Sequence, residues 1–250
     1  MFSSSVVRDP TLAGPPALMA GALPASVATV ESFGDLPAQL CFPGEEELVR
    51  SMAPARRAEF ATARSCARAA LLALGLPPRP IGRGPHREPI WPDGVVGSIT
   101  HCRGYRAAAC STGLASLGID AEPHKPLPNR VAELTLAAEE LAMVARLARR
   151  DPSIAWDRVA FSAKEAVYKA WFPLTHRWLG FFQTRLRIDA QTGTFEARLS
   201  TEGARIDGGP QLDVLHGRHL IRQGLVLTAV CVEGRLQSFG EDAISSGATP

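Results

Sequence analysis

The chain has 250 residues, of which 46% are hydrophobic and 21% charged, so it suits one large domain or two of ordinary size. A formal net charge of +2 argues against nucleic-acid binding through a strongly basic surface. Five cysteines without a CxxC pair argue against a disulfide framework or a zinc site and favour a reducing, cytoplasmic location.

The N-terminal segment is apolar and contains small residues, as secretory signals do. However, Pro15, Pro16 and Pro24 interrupt any helix there, so we predict a flexible extension over residues 1–20 rather than a signal. No apolar run approaches the ~20 residues that a membrane-spanning helix needs, and no membrane partner is expected.

In the first half of the chain, we predict one helix followed by several strands. Apolar residues at helical spacing predict a helix from about Glu45 to Leu74, ended by Gly75 and the prolines after it. A loop rich in Gly, Pro and Arg separates this helix from three strand-like runs, which turn residues join as in a meander. These runs are "VVGSITHC", "RAAAC" and "ASLGIDAE".

The second half repeats this order. Helices are predicted over about Val131–Arg149 and Ser153–Phe172, with Pro173 ending the second. Four strand-like runs follow, "TRLRID", "TFEARLS", "LDVLHGRHLI" and "LVLTAVCVE". We therefore predict an α+β fold of two similar halves, residues 21–125 and 126–238, with a flexible tail over 239–250.

Two carboxylates occur together in the segment "GIDAE". Alternate side chains of a strand share a face, so Asp120 and Glu122 point the same way. Such a pair repels itself unless it is protonated or bridged by a cation. Mg²⁺ is typically held by one or two carboxylates together with substrate phosphates. A solvated acidic edge is the alternative interpretation of this pair alone.

Lysine is scarce, with three lysines against 24 arginines, and two of the three lie in "FSAKEAVYKAW". Glu165 and Lys169 are i, i+4 neighbours on a helix, so one face carries a carboxylate beside an ammonium, while Lys164 lies beside that face. A compact ammonium on a flexible stem can follow a phosphate whose geometry changes during reaction. An ordinary surface ion pair explains this segment equally well on its own.

The segment "GSITHCRGY" and the first long helix add groups that bind anions. Thr100 and His101 offer a hydroxyl and an imidazole at a loop edge. Arg56 and Arg64 belong to rows of arginines that form either a solvated face or a bidentate clamp for a polyanion. Together these groups predict a small polyanionic substrate, a divalent ion and an acid/base carboxylate, as in phosphoryl-type transfer.

The blocks "GSITHCRGY", "LGIDAE" and "FSAKEAVYKAW" resemble, in this order, the three signature blocks of 4′-phosphopantetheinyl transferases of the large, pseudo-dimeric type. The stretches "REPIWPDGVVGSITHC" and "WFPLTHRWLGF" are similar to the enterobactin-synthetase component D branch, especially its actinobacterial members. The resemblance extends from about Leu23 to Val232. It implies two α+β halves related by pseudo-two-fold symmetry, a cleft between them for coenzyme A, and a monomeric enzyme.

The resemblance also implies the reaction and its partners. Phosphopantetheine would pass from coenzyme A to a serine of acyl or peptidyl carrier domains, with release of adenosine 3′,5′-bisphosphate. Such carriers belong to polyketide, fatty-acid or non-ribosomal peptide synthases, including those that make siderophores.

The family pattern assigns a role to ten residues of this chain. The implied ligands of Mg²⁺, or of Mn²⁺ in its place, are Asp120, Glu122 and Glu165. The cations expected to neutralise charge on the phosphates are Lys164 and Lys169. The groups expected at the 3′-phosphate and nearby oxygens are Thr100 and His101, and those clamping the nucleotide end are Arg56, Arg64 and Arg83. Glu165 would also be the base for the incoming serine, directly or, as we favour, through a metal-bound water.

One of these assignments has an alternative. Arg83 stands where we expect Lys in relatives, and a slip of the alignment would make His86 or Arg87 the phosphate contact instead.

Two other functions fit parts of the pattern. A Mg²⁺-dependent phosphohydrolase or nuclease could use Asp120, Glu122 and the nearby Lys125, although the low net charge disfavours nucleic acid. A non-catalytic module that binds coenzyme A or a nucleotide would need the arginines, but it gives no reason for Glu165 and Lys169 together.

Overall fold

The computed structural model describes residues 18–36, 42–128 and 130–234. Its strands are β1 Ala28–Phe33, β2 Gly82–Arg83, β3 Pro89–Ile90, β4 Val96–Cys102, β5 Tyr105–Ser111, β6 Leu114–Pro123, β7 Thr184–Asp189, β8 Thr194–Leu199, β9 Val214–Arg222 and β10 Leu225–Glu233. Its α-helices are α1 Glu46–Val49, α2 Pro54–Ala73, α3 Val131–Thr135, α4 Ala138–Arg150 and α5 Trp156–Thr175. Short 3-10 helices cover Met19–Ala22 and Phe181–Gln183.

The N-terminal half is a three-stranded antiparallel sheet of order β1-β5-β4, covered by α2. Pro54 occupies the first helical turn of α2, where its missing N–H costs nothing, and Gly75 follows the helix in the left-handed region at φ +77°. The small apolar side chains of β5 are buried throughout, because α2 covers one face of this strand and a second apolar layer covers the other.

The C-terminal half is a five-stranded sheet of order β6-β10-β9-β8-β7, with α4 and α5 on one face. Strand β7 alternates buried and exposed residues, as expected for a sheet with one covered face. Strand β10 is apolar along most of its length because it is buried on both faces. Within the described residues, no helix combines the length and the apolarity needed to cross a lipid bilayer.

Three apolar clusters divide the structure into layers. One joins α4 and α5 to the five-stranded sheet, a second lies between the two sheets, and a third joins α2 to the three-stranded sheet. The alternate residues of β6 serve two of these layers. Leu117, Ile119 and Ala121 enter the cluster between the sheets, whereas the residues between them face α5.

The two halves meet along β4 and β6, which lie side by side in different sheets. Side-chain hydroxyls bridge the two strands: Ser98 Oγ accepts the Ile119 N–H at 3.0 Å, and Thr100 Oγ1 accepts the Ala121 N–H at 3.0 Å. Both hydroxyl residues are buried. We call this contact the hydroxyl seam; it satisfies amide groups of β6 that would otherwise be buried without acceptors.

Several details of the sequence-based interpretation are wrong. Strand β6 does not continue a meander with β5 but pairs with β10, so this strand from the predicted first half, residues 21–125, belongs to the C-terminal sheet. Helix α5 continues past Pro173 to Thr175, because a proline in the last turn removes only one hydrogen bond near the helix end. The helices predicted near Glu45–Leu74 and Val131–Arg149 are each broken into two.

The N-terminal prediction also needs correction. Strand β1 was not predicted, and residues 18–20, assigned to the flexible extension, lie in an ordered segment where Met19 is fully buried. Residues 1–17 and the predicted tail over 239–250 lie outside the described residues.

Gly118 allows α5 to approach β6 closely. A Cβ at this position would meet the Ala166 carbonyl oxygen and would lie 2.6 Å from the Ala170 nitrogen, both of them backbone atoms of α5. We expect Gly118→Ala to lower the free energy of unfolding by about 1–3 kcal/mol through overpacking, as measured by urea denaturation. Gly113→Ala is the matched control, because its nearest neighbour would be Ser111 Oγ at 3.9 Å. Equal stability of the two variants would contradict this view of the contact.

Candidate active site

The side chains of the candidate site come from the facing surfaces of β6 and α5. The residues of β6 that face the helix include Gly118 and Asp120, and Glu122 follows at the strand end. On α5, Ser162, Glu165 and Lys169 share one face because they are separated by three and four positions. The close approach at Gly118 therefore brings the carboxylates of the strand next to the polar face of the helix.

Asp120 is buried and surrounded by hydrogen-bond donors. Lys169 Nζ lies 2.7 Å from Oδ1, and Ser162 Oγ donates to Oδ2 at 2.7 Å. Thr100 Oγ1 donates to Oδ1 at a longer 3.4 Å while it accepts the Ala121 N–H of the hydroxyl seam. These contacts hold the Asp120 carboxylate in one orientation at the junction of the halves.

Glu122 is paired with an arginine from the start of α5. Arg158 Nη1 donates to Oε2 at 2.8 Å, and the same guanidinium donates to the carbonyls of Lys125 at 3.0 Å and Pro126 at 3.1 Å. Partial burial and the neighbouring Asp120 raise the pKa of Glu122, and Arg158 opposes that shift. The arginine thus ties the segment after β6 to the helix that carries the other site residues.

Glu165 lies in the least neutralised position of the three carboxylates. Burial raises its pKa, and the charge of Asp120 and then that of Glu122 add to this effect, while Lys169 opposes it. No donor in the described chain forms a hydrogen bond with its carboxylate. The three acidic side chains therefore share one electrostatic environment with an excess of negative charge.

These residues fit a hard divalent cation that shares its ligands with a substrate. In the described part of the chain, no three His, Cys, Asp or Glu side chains converge closely enough to enclose a metal ion by themselves. Mg²⁺, however, needs only one or two carboxylates when phosphate oxygens and water complete its shell. The raised pKa values of Glu122 and Glu165 mark the repulsion that such a cation would relieve.

A cavity of about 420 Å³ opens beside this site, between β4, the loop before it and α5. Glu165 and Lys169 contribute its polar wall, while Trp91, Tyr168 and Phe172 contribute aromatic surface. Residues of both halves line it, as expected for a ligand that spans them.

The loop between β2 and β3 brings His86 and Arg87 to this cavity. The His86 ring packs on Phe172 with ring centroids 5.0 Å apart. Arg83 lies in β2, and it is exposed. Of the three candidates for this phosphate contact, His86 and Arg87 therefore line the cavity, whereas Arg83 does not.

The cations predicted for the nucleotide end do not line this cavity. Arg56 Nη1 donates to His101 Nε2 at the end of β4, so these two predicted residues are in contact. Partial burial, followed by the charge of Arg56, lowers the pKa of His101. Arg64 is buried over the Phe60 ring at 4.6 Å and donates to the Gly82 carbonyl at 3.1 Å. Burial lowers the pKa of Arg64 to about 10, with Arg68 and Arg83 contributing in the same direction.

The structure does not bring Lys164 to the carboxylates of the site. Adjacent helical residues differ by about 100° in direction, so Lys164 points away from Glu165, into the protein. Its buried ammonium donates to Glu140 Oε2 at 2.7 Å, to the Phe181 carbonyl at 2.8 Å and to the Thr135 carbonyl at 2.9 Å. All three donors are used, and this geometry gives no support to a phosphate contact.

Thr100 also differs from its expected role. Its hydroxyl is buried and engaged with Ala121 and Asp120, so it holds a carboxylate rather than presenting a free donor. Lys125, proposed for the alternative hydrolase, is exposed and forms no ion pair with Asp120 or Glu122 among the described residues.

Sequence reasoning missed four polar residues of this region, Glu59, Arg106, Arg158 and Ser162. A signal existed for three of them. Arg158 and Ser162 precede Glu165 by seven and three positions and so share its helical face. Glu59 follows Arg56 by three positions on α2, which also indicates a pair. Arg106 gave no pattern beyond a single charge in an otherwise apolar strand.

Two α+β halves that bring carboxylates and cations together beside a cavity are typical of an enzyme active site. A family model described as the 4′-phosphopantetheinyl transferase N-terminal domain matches residues 44–111. A second model, described as the 4′-phosphopantetheinyl transferase superfamily, matches residues 116–221.

Individual relatives agree with these matches. The 4′-phosphopantetheinyl transferase Svp of Streptomyces mobaraensis is 46% identical over 235 residues, which cover 92% of this chain and 95% of that protein. The 4′-phosphopantetheinyl transferase PptT of Mycobacterium tuberculosis is 46% identical over 224 residues, covering 85% of this chain and 97% of that protein. Enterobactin synthase component D of Salmonella typhi is 33% identical over 122 residues, covering 49% and 51%.

The chain therefore belongs to the 4′-phosphopantetheinyl transferase superfamily and is an enzyme of that class. The resemblance inferred from the three sequence blocks is confirmed, and so is the α+β fold of two halves. The roles of the individual site residues remain predictions.

The geometry of Lys164 leads to a prediction about stability. We expect Lys164→Met to lower the free energy of unfolding by about 3–5 kcal/mol, because it leaves the buried Glu140 carboxylate without its ammonium. Lys169→Met, whose ammonium is partly exposed, is expected to cost less in the same urea titration. Normal stability of Lys164→Met combined with loss of activity would contradict this and restore the phosphate contact.

The carboxylate cluster leads to a prediction about pH. A carboxyl group whose pKa is raised by folding destabilises the folded state once the group ionises. This unfavourable contribution appears as pH rises above the pKa that the group has in the unfolded chain. We therefore expect Glu165→Gln, in metal-free protein with chelator present, to unfold at a higher temperature than the wild type at pH 7. The difference in melting temperature should shrink towards pH 4, as the Glu165 carboxyl becomes protonated and, like glutamine, uncharged.

The control for this effect is Glu202→Gln, since Glu202 is largely exposed and lies outside the cluster. A melting temperature of Glu165→Gln at or below that of the wild type at pH 7 would show that Glu165 is not electrostatically strained.

Proposed function

We propose that this protein transfers the 4′-phosphopantetheine group from coenzyme A to a serine hydroxyl of an apo acyl or peptidyl carrier domain, releasing adenosine 3′,5′-bisphosphate. The observation that carries the proposal is the placement of Glu165 and Lys169 in the wall of the cavity between the halves, with Asp120 in contact with Lys169. Membership of the family supports the same reaction.

The proposed position of coenzyme A follows the charges of the site. The pyrophosphate would lie near Lys169, and the nucleotide end would extend towards the arginines beside β4, with Arg56 and His101 at its 3′-phosphate. The aromatic surface of Trp91, Tyr168 and Phe172 suits the less polar pantetheine arm. Arg64 and Arg83 add positive charge at the nucleotide end, although Arg64 already donates to a carbonyl.

The metal of this proposal is Mg²⁺, or Mn²⁺ in its place, held by Asp120, Glu122 and Glu165 together with phosphate oxygens. When bound, it would polarise the phosphoryl group and neutralise the pyrophosphate charge. Arg158 now neutralises Glu122, so this arginine would have to share or release that carboxylate.

The residues of the chain then have distinct tasks in the reaction. The serine oxygen forms a bond with the phosphorus that carries pantetheine, and the bond from that phosphorus to the bridging oxygen breaks. The displaced oxygen takes the electron pair and leaves on the adenosine bisphosphate, where Lys169 neutralises the developing charge. The serine proton passes to Glu165, directly or through a water.

The acceptor in this proposal is an acidic helical carrier domain of a polyketide, fatty-acid or non-ribosomal peptide synthase. The mildly positive net charge of +2 and the arginine-rich composition favour the encounter with such a partner. We further propose that the enzyme acts as a monomer, since both halves of its cavity come from one chain. We also propose a cytoplasmic location, which the cysteines without a CxxC pair favour.

Mass spectrometry of a carrier domain tests the function. After incubation with coenzyme A and Mg²⁺, we expect an apo carrier to gain the mass of one phosphopantetheine group, and a serine-to-alanine carrier to gain none. We expect Glu165→Gln to reduce this transfer by a factor of at least 10², because general base and metal ligand are lost together. Glu202→Gln should retain full activity.

Other outcomes would support the alternatives. Binding of coenzyme A without a mass gain across several carrier domains would favour a binding module. Hydrolysis of coenzyme A without transfer would favour a phosphohydrolase. Near-normal transfer by Glu165→Gln would remove Glu165 from both of its assigned roles.

A further inference from the structure

A row of alternating charges runs from the buried interior of the N-terminal half to His101. Arg106 Nη2 lies 2.9 Å from Asp35 Oδ1 and 3.1 Å from Glu59 Oε1. The other oxygen of Glu59 accepts from Arg56 Nη1 at 2.7 Å, and Arg56 donates to His101. We call this arrangement the charge relay; it joins α2, β4 and β5 through side chains alone.

The interior end of the charge relay is rigid. The side chain of Arg106 is 3% exposed, and its guanidinium also donates to the carbonyls of Cys102 and Tyr105. Arg106 and His101 are directly paired residues of the antiparallel strands β5 and β4, so their side chains leave the sheet on the same face. A buried guanidinium with several fixed acceptors has few alternative positions, and it therefore fixes the carboxylate that it binds.

The outer end of the charge relay would be mobile without this support. The side chain of Arg56 is 51% exposed, and an arginine loses much side-chain entropy when it is fixed. Glu59 divides its two oxygens between Arg106 and Arg56, so it transmits the fixed position of the buried arginine to the exposed one. Arg56 in turn donates to His101 Nε2, which places the proton of a neutral imidazole on Nδ1.

We propose that Glu59 is a positioning residue for the donor substrate: anchored by Arg106, it holds Arg56 and His101 in the orientation that receives the 3′-phosphate of coenzyme A. The proposal rests on the proposed function in taking coenzyme A as the ligand and in placing its 3′-phosphate at Arg56 and His101. Glu59 itself carries the same charge as the phosphate, so direct contact with it would be unfavourable, and its effect passes through Arg56 and His101.

Binding of two donor molecules to Glu59→Gln tests this role. Glutamine keeps the size of the Glu59 side chain but removes its charge. The contacts with Arg106 and with Arg56 are therefore both weakened. By titration calorimetry, we expect the Kd for coenzyme A to rise about tenfold relative to the wild type. The Kd for 3′-dephospho-coenzyme A, which lacks the phosphate in question, should change by less than twofold.

Kinetics of carrier modification provide a second readout. We expect the KM of Glu59→Gln for coenzyme A to rise by the same tenfold factor, while kcat stays within twofold, because the reacting pyrophosphate lies elsewhere. The matched control is Glu47→Gln, since Glu47 of α1 forms an exposed ion pair with Arg50 and does not contact the charge relay. This control should leave both binding constants and both kinetic constants unchanged.

The outcomes separate the two proposals. An unchanged Kd for coenzyme A, or equal losses with both donors, would overturn the positioning role, because a merely structural defect does not distinguish the donors. A wild-type protein that binds coenzyme A but modifies no carrier would overturn the proposed function, whereas the calorimetric comparison would still decide the role of Glu59. A wild-type protein that does not bind coenzyme A would overturn both.

Discussion

The site depends on the hydroxyl seam between β4 and β6. Ser98 and Thr100 place oxygen atoms where a neighbouring strand would place carbonyls, so the amides of Ile119 and Ala121 are satisfied although their strands belong to different sheets. Asp120 lies between these two amides, and its carboxylate is therefore fixed where the halves meet. An unpaired buried amide would cost about 1–3 kcal/mol, so the same two hydroxyls serve both folding and the orientation of a carboxylate.

The two lysines of α5 illustrate how one helix divides its surface between packing and chemistry. The ammonium of Lys164 has acceptors from α3, α4 and the 3-10 helix Phe181–Gln183, and its partner Glu140 also accepts the amides of Ala137 and Leu186. A planar guanidinium would match these separate directions less well, which gives a physical reason for lysine in a chain rich in arginine. Lys169, five positions later, reaches the carboxylate cluster instead.

Sequence patterns predicted the carboxylates and Lys169 because they depend on local geometry: alternation along a strand places Asp120 beside Glu122, and a helical turn places Glu165 beside Lys169. Sequence patterns did not predict contacts that depend on residues distant in the chain. Whether the ammonium of Lys164 meets phosphate or Glu140, and whether β6 pairs with β5 or β10, depends on contacts across tens of residues. Thr100 was found as a polar residue, but its acceptor and donor roles in the seam could not be read from its neighbours in the chain.

The pairing of β6 with β10 in the C-terminal sheet limits the motion of the two halves relative to each other. This strand is hydrogen-bonded to β10 on one side and joined by the hydroxyl seam to β4 on the other, so it is shared by both halves. A clamshell rotation of one half against the other would break those buried bonds at the same time. These bonds therefore hold the width of the cleft, and we expect adaptation to ligands of different length to involve the loop between β2 and β3 and aromatic side chains such as Phe172.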